Sequence, residues 1–133
     1  MEKRAIFWLK SAFIIGAVID GLALLPMCIP WAAELFLGFD GFTGIYYFAM
    51  GMGASLMLAW TILLIWACRK PLERRFIALF TVIILVGIAA TELVLAGLDY
   101  IPWRSVTGSL VMQAALLVLF NYGFIVTGRV TAN

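Results

Sequence analysis

Two carboxylates stand alone in long apolar surroundings. Asp20 lies in the stretch from Ser11 to Ile29, and Glu92 in the stretch from Phe76 to Leu98. If those stretches cross a bilayer, each acid costs roughly 2.5–3.5 kcal/mol on insertion scales, so it must turn to a bundle interior, a wet cavity or a partner. Small residues accompany both at helical spacing, Gly16, Ala17 and Ala23 around Asp20 and Ala89 and Ala96 around Glu92, and small residues let helices approach closely. Brought together, the two carboxylates would hold one proton between them near neutral pH, because like charge and desolvation both oppose a second ionisation. Such a pair suits proton relay, coordination of a cation, or the ammonium group of an amphiphilic ligand. Gln113 enters from the opposite end of its own apolar stretch and reaches a depth comparable with Glu92, which makes it the third candidate ligand-binding residue. The competing expectation is structural: each acid is pinned by Thr91, Gln113, Ser55 or backbone. Gln113 and Asn121 are then interhelical ties of about 1 kcal/mol each.

The same inventory excludes much. There is no histidine, which removes the commonest general base and the commonest metal ligand. Cys28 and Cys68 form no C-x-x-C pair and fall at opposite ends of the expected spans, so they bridge neither each other nor a metal. A quinone-linked thiol oxidase would need paired cysteines on one side. No glycine-rich phosphate loop and no Ser/His/Asp set occurs. No metal and no cofactor is therefore expected, no catalytic residue stands out, and a net charge of +2 gives nothing for nucleic acid to bind.

The elements that must position these residues follow from composition. Of 133 residues 65% are hydrophobic and 12% charged, against about 45–50% and 25% in a soluble domain. A ~30 Å hydrocarbon layer needs about 20 apolar residues per helix. Four stretches qualify, at about 11–29, 43–67, 76–98 and 106–128, within a single membrane domain over residues 1–133. The first is read as a retained helix and not a signal peptide, because Pro26, Cys28 and Pro30-Trp31 follow it where a small-residue cleavage site would stand. Lys3, Arg4, Lys10, Arg69, Lys70, Arg74, Arg75 and Arg129 share one side and Arg104 alone the other, which places both termini in the cytoplasm and the chain in a plasma or inner membrane. Lys10 snorkels back to that interface. The inner turn Arg69–Arg75 reads as the topology determinant. Glu34, Asp40, Asp99 and Arg104 mark the outer loops, and Pro30–Leu37 is expected to form a short interfacial helix. Gly51, Ser55 and Ala59 form a small-residue ridge expected to pack within the chain, with a homodimer face as the alternative.

The two halves also correspond. Asp20 and Glu92 share an offset of 72 positions with Ile29-Pro30-Trp31 and Ile101-Pro102-Trp103, and Thr43-Gly44 matches Thr107-Gly108 after a first outer loop about eight residues longer. The expected architecture is an all-α four-helix bundle made of two parallel helical-hairpin repeats, related by an axis along the membrane normal.

In general shape, with four spans, cytoplasmic termini and acids in spans one and three, the chain resembles the sterol-isomerase type of membrane protein. The resemblance implies capture of amines or carbocations by buried acids. In size and span number it also resembles the small multidrug-resistance transporters, although these are inverted or of dual topology. No motif of either family is matched, and no residue role is carried over. The function expected is binding or translocation of a small molecule, cation or proton through Asp20 and Glu92, with Gln113 beside them and the lipid bilayer, an amphiphilic or cationic ligand, and a homodimer or larger membrane complex as partners. The alternatives are a non-catalytic subunit or assembly factor, and a lipid- or isoprenoid-modifying enzyme.

Overall fold

A computed structural model describes residues 2–37 and 43–131; Asp40 lies outside the described residues. Of the described residues 88% are helical, with α1 over Glu2–Cys28, α2 over Pro30–Leu37, α3 over Gly44–Cys68, α4 over Phe76–Gly97 and α5 over Trp103–Thr131. Four of these, all but α2, are long and apolar enough to cross a membrane. They cover the four expected spans. α1 begins nine residues before its span, since its first turns, which carry Glu2, Lys3, Arg4 and Lys10 among apolar residues, are helical too.

Local chemistry explains the boundaries. Pro26 sits inside α1 and has no N–H to donate, and α1 ends two residues later at Cys28. Pro30 then opens α2 at the position where a missing N–H is harmless. Thr43 caps α3, its hydroxyl accepting from the Tyr46 amide at 3.4 Å. The inner turn closes α3 with Arg74, whose guanidinium lies 3.3 Å above the Trp66 ring and donates to the Trp66 carbonyl, while Lys70 pairs with Glu73 at 3.1 Å. α4 ends in a Schellman motif: the Tyr100 amide donates to the Leu95 carbonyl, the Asp99 amide to the Ala96 carbonyl, and Asp99 takes φ 58° where glycine is usual.

The long helices alternate in direction. Gly16 approaches Leu64 and Met27 approaches Gly53, so α1 and α3 are antiparallel. Trp8 meets Tyr122, and Phe13 meets Phe120 at 6.1 Å between centroids, so α1 and α5 are antiparallel as well. Phe76 meets Phe124 at 6.0 Å, and α4 therefore runs against α5. The beginning of α1 and the end of α5 thus share one end of the molecule. α1 packs extensively on α3 and α5, α4 packs on α5, and no comparable seam forms between α3 and α4. The helices lie in the order α3, α1, α5, α4, with α2 against α1 and, more lightly, α5.

The core is concentrated at the end holding the termini: Leu9, Ala12, Phe13, Gly16, Ala17, Leu64, Ala67, Ala78, Leu116 and Phe120 are buried. No α1 residue beyond Ala17 is fully buried. Two glycines make the α1–α5 seam possible. A Cβ on Gly16 would come within 2.8 Å of the Phe120 ring, and one on Gly123 within 3.3 Å of the Leu9 backbone. Apolar side chains elsewhere on every long helix point outward, including Ile14, Leu22, Leu56, Ile62, Ile83 and Val118.

Candidate functional site

Glu92 sits one turn and a half before the end of α4, half-buried and facing the first turns of α5. There the helical period places Ser109 and Gln113, four residues apart, on one face. The Ser109 hydroxyl donates to Glu92 Oε1 at 2.7 Å, and Gln113 Nε2 donates to Glu92 Oε2 at 3.1 Å and to Ser109 Oγ at 2.9 Å. The ring is closed and every proton in it is allocated: one hydroxyl and both amide hydrogens supply three acceptors. Both carboxylate oxygens of Glu92 are thereby engaged.

One atom is left over. Gln113 is only 4% exposed, and its Oε1 is buried without a hydrogen-bond partner among the described residues. A buried acceptor without a donor costs on the order of 1–3 kcal/mol, and such an orphan marks a ligand, a proton or a water.

Asp20 lies on the face of α1 that also carries Leu9, Phe13 and Gly16, and it is half-buried. Among the described residues no hydrogen bond or ion pair reaches its carboxylate. The structure therefore brings Glu92 and Gln113 together directly and leaves Asp20 apart from both.

The other polar residues settle locally. Thr91 donates to the Gly87 carbonyl and Ser55 to the Gly51 carbonyl, each within its own helix, so neither serves the acids. Asn121 is exposed and donates to the Leu117 carbonyl, again in its own helix and not across to a neighbour. The Gly51, Ser55 and Ala59 ridge, expected to pack within the chain, is exposed, and a Cβ on Gly51 would meet nothing within 4 Å. Among the described residues Arg104 forms no ion pair, and no group of three or more metal-ligating side chains occurs. Ser109 was not singled out from the sequence. Its only signal is the four-residue spacing to Gln113, which serines in apolar helices often share with ordinary packing positions.

Comparison with protein-family models, curated proteins and solved structures finds no match for this chain. The class that fold and site define is accordingly coarse: an all-helical protein with four helices suited to a membrane and one hydrogen-bonded carboxylate cluster between two of them.

Proposed function

We propose that this chain is an integral membrane protein whose four long helices span a plasma or inner membrane, with both termini cytoplasmic, and that it binds or moves a small molecule or cation (the proton included) through Asp20, Glu92 and Gln113. The observation that carries this reading is the Glu92–Ser109–Gln113 cluster, with a buried orphan acceptor on Gln113. The clustering of eight cations at one end of the helices and one at the other supports the orientation. The hairpin repeat rests on the sequence correspondence alone; one Ile-Pro-Trp segment opens α2 and the other opens α5. In the first half the extra length accommodates α2, which is 8 residues long.

The test is native mass spectrometry of detergent-extracted protein beside Asp20→Asn and Glu92→Gln, with cation- and proton-flux assays in vesicles. Loss of bound mass or of flux in both variants, with the helical signal retained, supports the reading. Full binding and flux in the double variant would sink it.

A second reading has its own observation. The exposed Gly51, Ser55 and Ala59 ridge on α3 is a close-packing surface with nothing on it, and α3 and α4 stand at the edges of the array. A homodimer or a larger membrane complex would cover it, and the chain would then act as a subunit. Specific cross-links from cysteines placed at Gly51 and Ala59 would support that role.

A further inference from the structure

A groove opens on the surface where Trp8 of α1 meets α5. It is lined by Trp8, Ala115, Val118, Leu119 and Tyr122, and its volume of about 450 Å³ lies within the range of small-molecule sites. The four α5 residues follow the helical period and form one stripe, about 10.5 Å long from Ala115 to Tyr122. Trp8 stands edge-to-face against the Tyr122 ring, with centroids 5.4 Å apart, at one end of that stripe.

The groove is polar at that end only. From Ala115 to Leu119 its side chains are hydrocarbon. The Trp8–Tyr122 end carries an indole N–H and a phenol hydroxyl, both on exposed residues and neither with a hydrogen-bond partner among the described residues.

Beyond that end the same two helix faces carry cations. Arg4 is one turn before Trp8 and Arg129 two turns after Tyr122. The approach of Gly123 to the Leu9 backbone fixes their level. Arg4 lies five residues back from Leu9 and Arg129 six residues on from Gly123, so in antiparallel helices their heights differ by about 1.5 Å. Both are exposed, and no ion pair reaches either among the described residues. Glu2, the acid nearest in sequence, stands on the opposite side of α1 from Arg4.

We propose that this groove binds one anionic phospholipid, with an acyl chain along Ala115, Val118 and Leu119 and the phosphate between Arg4 and Arg129. The chemistry along the surface comes in the order of the lipid's own: hydrocarbon, then two amphipathic rings with donors for ester or phosphate oxygens, then two guanidinium groups. Arginine suits the last place, since its paired N–H donors match phosphate. Free phosphate would meet the cations and gain nothing from the groove. The site goes beyond the acid pair and owes nothing to it; it needs only the membrane placement proposed above, which sets it in the leaflet at the cation-rich end.

Native mass spectrometry of protein extracted from nanodiscs tests this, with phosphatidylglycerol and phosphatidylcholine of identical acyl chains supplied in equal amounts. The expected result is one tightly retained phosphatidylglycerol per chain, preferred roughly tenfold over phosphatidylcholine, as two basic residues near a phosphate would give. Arg4→Gln/Arg129→Gln should bring the two lipids to parity; Lys3, Lys10 and the inner turn remain to hold the orientation. Ala115→Phe, which sets a ring in the groove, should shed both. Excess inorganic phosphate should displace neither. Equal retention of the two lipids by the wild type overturns the proposal. So does a preference that survives Arg4→Gln/Arg129→Gln but disappears in Arg69→Gln/Lys70→Gln, which would place the headgroup at the inner turn. Displacement by inorganic phosphate, or wild-type retention in Ala115→Phe, overturns the acyl-chain site. Glu92→Gln should keep the lipid; its loss there would move the lipid to the carboxylate cluster and overturn the groove. Lost flux in Glu92→Gln with the lipid retained leaves both readings standing, and unchanged flux removes the acid-pair role alone. A chain that fractionates away from membranes removes the membrane placement and this site with it.

Discussion

Glu92 has a hydroxyl and an amide spent on it, and the two contribute differently. Ser109 supplies a donor to the carboxylate and an acceptor to Gln113, so Ser109→Ala opens the ring at two points. It should lower stability by about 1 kcal/mol, the ordinary worth of a polar tie between apolar helices. Asn121 has the same chemistry but bonds only its own helix, and Asn121→Leu should leave stability within about 0.5 kcal/mol. Unfolding in graded denaturing detergent compares the two directly. Equal losses would mean that the cluster has no interhelical role. At this scale the sequence was partly legible. A carboxylate in an apolar run announces itself, and Gln113 was expected at the depth of Glu92. Ser109 was not legible, since a lone serine carries no sign of its partner until the neighbouring helix is placed.

Helix ends and close approaches carry the element-scale predictions. Asp99 adopts a left-handed backbone at the end of α4, a conformation that costs L-residues roughly 1–2 kcal/mol and that short polar side chains tolerate best. Asp99→Val should therefore destabilise by about that amount, and Asp99→Gly should not; the midpoint of thermal unfolding in detergent separates them. Gly123 lets α5 reach the backbone of α1. Gly123→Val should force the seam apart and cost roughly 1–3 kcal/mol. Gly51→Ala meets open space and should leave the monomer unchanged. The helices themselves, including α2 from Pro30 to Leu37, followed from length, proline placement and capping residues, which are local causes. The glycine contacts did not, because a glycine at a seam and one facing outward look alike in the chain.

For the whole molecule, the proposed orientation makes a prediction about its two free thiols. Cys28 ends α1 and is exposed; Cys68 ends α3 at the opposite end, where its Sγ lies 4.0 Å from the Lys10 carbonyl. In intact cells a membrane-impermeant maleimide should label Cys28 alone, with Cys68 reacting only after permeabilisation; the reverse pattern would invert the topology. The sequence by itself determined the number of long helices, their approximate bounds, the charge contrast between their ends and the identity of the two isolated acids. Those are properties of runs and counts, which hydropathy and spacing report without reference to any neighbour. Only the tertiary structure decided the order α3, α1, α5, α4, the outward turn of the Gly51, Ser55 and Ala59 ridge, and the placing of Gln113 against Glu92 with Asp20 apart from both. The physical reason is that helices apolar on all sides carry no stripe that distinguishes an inward face from an outward one. Their neighbours are chosen by the fit of small residues against rings, as Gly16 fits Phe120, and by a few polar ties, and those become definite only when the helices are side by side.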